Sequence, residues 1–155
     1  MTSLCCDVIQ ILRGKTLATA ESLTGGGIGA ALTGISGASA VYKGGIISYT
    51  NEIKHNLLGV PAEVLNQYGA VSDPVASAMA EGARKALNTD VAVSVTGLAG
   101  PTGDEFGNPV GTVFIGYSDN KVTTVQHCLF SGDRESIRNQ TIEEALKLIL
   151  SMQTK

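Results

Sequence analysis

Thr16-Leu17-Ala18-Thr19-Ala20 runs directly into Glu21-Ser22-Leu23-Thr24-Gly25-Gly26-Gly27, so a short strand-like segment passes into a hydroxyl-bearing, glycine-rich turn. A second junction of this kind joins the apolar run Val91–Val95 to Thr96-Gly97-Leu98-Ala99-Gly100-Pro101-Thr102-Gly103. In α/β sheets, ligands bind beyond the carboxyl ends of the strands. Glycines there let backbone N–H groups approach an anionic or carbonyl oxygen closely. The two junctions therefore predict one site at one edge of a sheet.

The remaining pattern supplies the other layers of an α/β domain. The β-rich runs Val110–Tyr117 and Lys121–Phe130 are joined by a turn tripeptide, which predicts an antiparallel hairpin. Gly44–Thr50 is predicted as another strand, and Asp133 as the cap of a last helix. We expect residues 1–155 to form a single domain, a three-layer α/β/α sandwich around a mixed, mostly parallel sheet of about five strands with one antiparallel hairpin.

Composition narrows the class of protein. The net charge is −3 and the basic residues are scattered, so no binding surface for nucleic acid is predicted. No apolar run is long enough for a signal peptide or membrane helix, and we expect no membrane association. Cys5, Cys6 and Cys128 lack metal-ligand spacing and are read as reduced thiols of a cytoplasmic protein. The apolar helix faces indicate a homo-oligomer, a dimer or larger.

Ser22 is the first candidate for chemistry, because it stands where a strand hands over to a helix. One interpretation makes Ser22 a nucleophile, with the following amides as an oxyanion hole. A second makes it a helix N-cap in a loop that cradles a phosphate, since helix N-termini attract anions. A third treats Ser22 or Thr24 as a structural cap without further function. The residues alone leave the three open.

A serine nucleophile needs a base, and the two histidines are poor candidates. His127 lies among apolar strand residues and His55 in a polar segment, so a Ser-His-Asp triad has weak support. A lysine whose pKa is lowered by burial is the other route. Tyr49, Asn51 and Lys54 follow the second strand, at the edge where Ser22 is expected. The alternative for Lys54 is an ordinary exposed helix lysine.

The second loop and the last helix add polar groups. Thr96 is delivered to the sheet edge by its strand, and the glycines beside it leave backbone donors open. Asp104 and Glu105 are read as solvated turn acids, because no third carboxylate is spaced to complete a Mg²⁺ site. Arg134 and Arg138 lie four residues apart near the start of the last helix, where they reach either a ligand anion or neighbouring acids.

Five blocks of the sequence, in order and spanning nearly the whole chain, resemble the CinA C-terminal domain family. The blocks are Ala20-Glu21-Ser22-x-Thr24-Gly25-Gly26, Gly44-Gly45 with Tyr49-x-Asn51-Glu52-x-Lys54 and Leu58-Gly59-Val60, Thr96-Gly97-x-Ala99-Gly100-Pro101, Pro109-Val110-Gly111-Thr112-Val113, and Gly132-Asp133-Arg134-x-x-Ile137-Arg138. Two positions depart from the family pattern. Leu23 stands where a cysteine is usual, and Thr102-Gly103-Asp104 where a third glycine-rich element is usual.

The resemblance implies a function. Enzymatically active members are nicotinamide mononucleotide deamidases, which release ammonia from the substrate carboxamide without a metal or other cofactor. By the resemblance, Ser22 attacks, Lys54 takes its proton and Tyr49 orients the lysine. The residues that it implies for substrate binding, including the backbone groups that hold the oxyanion, are Thr24, Gly25, Gly26, Asn51, Thr96, Gly97, Gly100 and Arg138. The alternative is a non-catalytic, nucleotide-binding regulatory module linked to DNA uptake or repair.

Overall fold

A computed structural model describes all 155 residues, which form six α-helices and five strands. The strands are β1 (Leu17–Glu21), β2 (Tyr42–Ile47), β3 (Val91–Gly97), β4 (Thr112–Ser118) and β5 (Thr123–Leu129). The helices are α1 (Thr2–Ile11), α2 (Gly27–Thr33), α3 (Asn51–Leu58), α4 (Ala62–Tyr68), α5 (Asp73–Leu87) and α6 (Arg134–Gln153). A short 3₁₀ turn, Ala38–Ala40, was not predicted from the sequence.

The five strands make one mixed sheet in the order β2-β1-β3-β4-β5. β1 pairs in parallel with both β2 and β3, and β4 is antiparallel to β3 and β5. Four of the five strands therefore run in the same direction, and the predicted fold class is confirmed. Glu21 at the end of β1 lies beside Val95 of β3 and Ile47 of β2. The residues that follow these three strands consequently emerge at one edge of the sheet.

Helices cover both faces of the sheet, as the apolar runs predict. α1, α2 and α6 pack over the larger core, which includes Leu17 and Tyr117. α3, α4 and α5 pack over a smaller core, which includes Ala18 and Met79. Leu17 and Ala18 are neighbours in β1 and serve opposite cores, because successive side chains of a strand point to opposite faces. The central strands β1 and β3 are thus held rigidly from both sides.

Of the element boundaries that differ from the prediction, two shape the site. The strand predicted over Gly44–Thr50 begins and ends earlier, because Thr50 accepts a hydrogen bond from the Ile53 N–H and caps α3 instead. The sequence pattern predicts a helix from Thr24 to about Thr33, but α2 begins only at Gly27, because Gly25 and Gly26 adopt left-handed conformations with φ of 61° and 102°. The residues after β1 and β2 are therefore loop rather than helix or strand, and their polar groups face the sheet edge.

Gly82 sets the distance between α5 and α3, the helix that carries Lys54. A Cβ atom at Gly82 would overlap the backbone carbonyl of Leu58, the last residue of α3. We expect Gly82→Ala to lower the free energy of unfolding by about 1–3 kcal/mol, the usual cost of overpacking. Urea denaturation measures this, with Gly34→Ala as the control because a Cβ there meets only ordinary contacts. An unchanged stability for Gly82→Ala would contradict the close approach.

No helix combines the length and apolar character that a membrane crossing requires. The thiols of Cys5, Cys6 and Cys128 are all free, and Cys5 and Cys128 are buried. Burial raises the pKa of the Cys5 and Cys128 thiols, since it disfavours the thiolate. Both therefore behave as small core side chains.

Candidate active site

A cavity of about 290 Å³ opens at the sheet edge where β1, β2 and β3 end. Its walls come from the turn after β1, the β2–α3 connection, the loop after β3 and the start of α6. This convergence confirms that the two glycine-rich junctions meet at one edge of the sheet. The polar or glycine residues that line the cavity are Ser22, Tyr49, Asn51, Lys54, Thr96, Gly97, Gly100, Thr102 and Arg134.

A larger cavity of about 460 Å³ lies away from these residues. Its carboxylates already serve the protein's own groups: Asp90 accepts from Thr16, and Asp119 accepts from the Tyr117 hydroxyl at 2.8 Å. No nucleophile and base meet there. The cavity of about 290 Å³ is the candidate active site, because Ser22 and Lys54 line it together.

Lys54 and Ser22 are in direct contact at the base of this cavity. The Lys54 Nζ atom donates to the Ser22 Oγ atom over 2.9 Å, and both side chains are buried. Nζ also donates to the backbone carbonyls of Ser48 at 2.7 Å and Tyr49 at 3.3 Å. Only 1% of the Lys54 surface is exposed, although a lysine in a short helix is ordinarily solvated. Of the two interpretations of Lys54, the structure therefore shows the buried one.

The surroundings of Lys54 favour its neutral form. Burial lowers the pKa of Lys54 from 10.5 to about 8, and no carboxylate lies within ion-pairing distance to oppose this. A neutral amine has two N–H bonds and one lone pair. When the two N–H bonds are given to the carbonyls of Ser48 and Tyr49, the lone pair is left for the Ser22 hydroxyl. The geometry is that of a base poised to take a proton from a serine.

Neither Ser22 nor Thr24 caps α2, so the capping interpretations drawn from the sequence are wrong. The N-cap of α2 is Gly26, which offers no side chain. The Thr24 hydroxyl donates instead to the buried Glu21 carboxylate at 2.7 Å. The backbone N–H groups of Leu23 and Thr24 have no hydrogen-bond partner within the chain. The N–H groups of Ala99 and Gly100 in the loop after β3 are likewise unpaired, so both turns offer donors for an oxyanion.

Glu21 is a residue that the sequence reasoning did not single out. Its carboxylate accepts hydrogen bonds from the backbone N–H groups of Ile28 at 2.8 Å and Gly29 at 3.1 Å, in the first turn of α2. The anion at this helix N-terminus is therefore the protein's own side chain. The sequence signal was an acid between a strand and a glycine-rich helix start.

The loop after β3 lines the cavity and also packs against neighbouring segments of the chain. The Thr96 hydroxyl is buried and donates to the Ala70 carbonyl at 2.8 Å, which holds the segment before α5 against the sheet edge. A Cβ at Gly97 would come within 2.7 Å of the Thr112 carbonyl, and a Cβ at Gly100 within 2.9 Å of Val110. Close approach to β4 thus requires Gly97, and close approach to the segment before β4 requires Gly100, while both residues line the cavity.

The two arginines occupy different positions. Arg138 donates to the carbonyls of Leu23 at 2.9 Å and Thr24 at 3.2 Å, and it does not line the cavity. Arg134 does line the cavity and is exposed. It donates to the Gly100 carbonyl at 2.7 Å and to the Tyr49 hydroxyl at 3.3 Å, which bridges two walls. Arg138 therefore braces the turn after β1, and Arg134 is the arginine that faces the cavity.

Tyr49 and Asn51 reach the cavity in different ways. The Tyr49 side chain is 59% exposed and its hydroxyl meets Arg134, whereas its backbone carbonyl is the part that contacts Lys54. Asn51 is exposed at the first position of α3, and its side chain lines the cavity without a hydrogen-bond partner. Gly25 and Gly26 shape the turn after β1 without lining the cavity.

The histidines are not part of the site. His55 Nδ1 is paired with the Val60 carbonyl at 2.8 Å, and the His127 ring stacks on Phe114 with centroids 4.4 Å apart. The expectation that a Ser-His-Asp triad has weak support is confirmed by these positions.

No group of three histidine, cysteine or acidic side chains is arranged to hold a metal ion. Asp104 accepts from the N–H groups of Phe106 and Asn108, as a turn acid does.

Comparisons with known proteins show which family this architecture belongs to. The model of the CinA C-terminal domain matches residues 3–153. A CinA-like protein of Parasynechococcus marenigrum is 47% identical over 93% of the chain, and a putative competence-damage inducible protein of Clostridium beijerinckii is 49% identical over 86%. The chain spans about a third of the length of these curated relatives, 35% and 33%.

A solved structure has nearly the same fold over nearly the same length. The competence-damaged protein (CinA) superfamily protein of Klebsiella pneumoniae 700603 is 34% identical, with a TM-score of 0.95 over 99% of this chain and 97% of that one. The competence/damage inducible protein of Agrobacterium tumefaciens is 36% identical, with a TM-score of 0.94. The chain therefore belongs to the CinA C-terminal domain family.

Proposed function

We propose that the chain is a metal-independent amidohydrolase that converts nicotinamide mononucleotide and water to nicotinic acid mononucleotide and ammonia, in pyridine-nucleotide salvage. The observation that carries the proposal is the 2.9 Å hydrogen bond between the Lys54 Nζ and Ser22 Oγ atoms at the base of a cavity. The choice of substrate follows the family resemblance. The experiment is an assay of ammonia release from the mononucleotide by the purified chain.

In the first half of the reaction, Ser22 forms a bond to the carboxamide carbon. The Ser22 hydroxyl proton passes to the lone pair of Lys54 as the Oγ–C bond forms. The carbonyl oxygen becomes an oxyanion, which accepts hydrogen bonds from the otherwise unpaired N–H groups of Leu23 and Thr24. Lys54 then returns the proton to the leaving nitrogen and the C–N bond breaks. Ammonia departs, and the nicotinoyl group, which still carries the ribose phosphate, remains as an ester on Ser22.

The second half restores the enzyme. Water attacks the ester carbon while Lys54 accepts its proton, and the same amides stabilise the second oxyanion. When the Oγ–C bond breaks, the proton returns from Lys54 to Ser22 and the carboxylic acid product is free. The carbonyls of Ser48 and Tyr49 keep the lysine aimed at Ser22 through both transfers.

Arg134 is the group proposed to bind the substrate phosphate, in place of Arg138. Arg134 faces the cavity, whereas Arg138 is committed to loop carbonyls. We expect Arg134→Ala to raise KM for the mononucleotide about 10- to 100-fold, because charge-assisted bonds to phosphate contribute about 1.5–3 kcal/mol. The unphosphorylated riboside should be nearly unaffected.

Steady-state kinetics with the two substrates measure this difference. Arg138→Ala is the matched control: it removes a guanidinium four residues away, and we expect it to lower thermal stability without a phosphate-dependent change in KM. Equal losses for both substrates in Arg134→Ala would contradict the assignment.

The rate should rise with pH and then level off. Because only the neutral amine of Lys54 accepts a proton, kcat/KM should increase through an apparent pKa near the value of about 8 for Lys54. Initial rates of ammonia release across this range measure the profile. A rate independent of pH there would contradict Lys54 as the base.

The alternative is a non-catalytic nucleotide-binding module. A ligand-binding loop gains nothing from a lysine that is buried against a serine, and the lowered pKa of Lys54 reflects a cost to the folded state. The buried Ser22–Lys54 pair therefore favours an enzyme. Tight binding of the mononucleotide with no ammonia released would favour the module instead.

A further inference from the structure

Glu21 is the last residue of β1 and directly precedes Ser22, yet no step of the proposed reaction uses it. Its side chain is 2% exposed, and each of its two carboxylate oxygens accepts two hydrogen bonds. One oxygen accepts from the Thr24 hydroxyl at 2.7 Å and the Ile28 N–H at 2.8 Å. The other accepts from the Thr19 hydroxyl and the Gly29 N–H, each at 3.1 Å.

The donors around Glu21 require a side-chain group that only accepts hydrogen bonds. The N–H groups of Ile28 and Gly29 are fixed donors in the first turn of α2, and each faces a different oxygen of Glu21. A carboxylate satisfies both and also suits the positive end of the helix dipole. An amide side chain cannot, because its NH₂ group would face one of the two N–H groups in either orientation.

The same bonds fasten both ends of the turn that carries Ser22. At its start, the Glu21 backbone is held in the sheet, where its carbonyl accepts from the Ser48 N–H at 2.8 Å. At its end, Thr24 and the beginning of α2 are tied to the Glu21 side chain. Ser22 and Leu23 therefore lie in a span whose two ends are joined through one residue.

We propose that Glu21 is a positioning residue, which holds the Ser22 hydroxyl against Lys54 and keeps the Leu23 and Thr24 amides beside it. The inference rests on the proposed function for its main readout. Small displacements of a nucleophile cost much rate, since a shift of about 1 Å lowers turnover roughly 100-fold. Glu21→Gln should accordingly lower kcat about 10- to 100-fold and change KM less than about threefold.

Variants of two threonines distinguish a positioning role of Glu21 from a general effect on stability. Thr24→Val removes the bond to Glu21 on the Ser22 side, and Thr19→Val removes one on the strand side. Positioning predicts that Thr24→Val lowers kcat while Thr19→Val leaves it unchanged, even where both lower the melting temperature. If Glu21→Gln does not fold, the comparison of Thr24→Val with Thr19→Val tests the positioning role of Glu21 by itself.

The closing experiment measures kcat, KM and melting temperature for the parent and the three variants. A folded Glu21→Gln with the parent's kcat would overturn the inference, as would equal kcat losses in the two threonine variants. If the parent releases no ammonia, the proposed function fails by itself. Labelling then provides the readout: a fluorophosphonate forms a P–O bond with Ser22 and releases fluoride. Slower labelling of Thr24→Val than of Thr19→Val supports the inference, and equal labelling rates overturn it.

Discussion

Ser22→Ala should release ammonia from nicotinamide mononucleotide roughly 10⁴-fold more slowly than the parent, or not measurably. The variant lacks the oxygen that forms the covalent bond, and the structure places no second hydroxyl on Lys54 Nζ. The backbone of the turn is held by Glu21 and Arg138 rather than by the Ser22 side chain, so the fold should persist. Binding of the mononucleotide, measured by calorimetry, should remain within a few-fold of the parent.

Ser94→Ala is the matched control for this variant. Ser94 is a buried serine of β3 whose hydroxyl donates to the Ala76 carbonyl at 2.6 Å, away from the cavity. It should lose about 1 kcal/mol of stability and none of the activity. Turnover by Ser22→Ala at the parent's rate would remove the serine from the chemistry.

Lys54→Met should lose about 10²- to 10⁴-fold in kcat, the range of a general base. Methionine fills a similar space and cannot accept the Ser22 proton. The variant should also lack a pH response of stability that the parent has. Lys54 binds its proton up to pH 10.5 in the unfolded chain and only up to about 8 in the folded protein.

The sign of that response follows from proton counting. Between pH 8 and 10.5 the unfolded state holds more protons than the folded state, so the stability of the parent rises with pH across this window. Below pH 8 the burial of the ammonium costs about 3 kcal/mol, and the cost disappears as both states become neutral.

Urea unfolding at both ends of the window measures the difference between the parent and Lys54→Met. Other titrating groups contribute equally to both proteins and cancel. Lys43→Met, at an exposed position of β2, should match the parent in rate and in pH response. A Lys54→Met protein that keeps both the rate and the pH response would show that the lysine is neither buried nor a base.

The sheet could be predicted from sequence because its signals are local. Val91–Val95 is apolar except for Ser94, as is typical of a strand covered on both faces, and the hairpin after it is marked by a turn. The convergence of Ser22 and Thr96 followed from the direction of parallel strands. The boundary of β2 could not be predicted, because Thr50 suits a strand equally well until its hydroxyl is seen to cap α3.

The site was predictable in type but not in detail. The sequence around Lys54 is the same whether the side chain is exposed or buried. Only the packing of its helix against α5 and the sheet decides between the two. The roles of Arg134 and Arg138 depend on which one faces the turn after β1, and residues four apart on a helix share a face. The role of Glu21 could not be predicted, because its partners include amides seven and eight residues later, in a helix that begins three residues after the predicted start at Thr24.

The central claim is that Ser22, activated by Lys54, takes the acyl group of a carboxamide. The most direct measurement is acid quenching during the first turnovers of nicotinamide mononucleotide, followed by mass spectrometry of the tryptic peptide from Thr16 to Lys43. We predict an ester on Ser22 in which the nicotinoyl group still carries the ribose phosphate; it forms with the release of ammonia and is absent from Ser22→Ala. An ester on any other residue, or ammonia released from Ser22→Ala as fast as from the parent, would contradict the account.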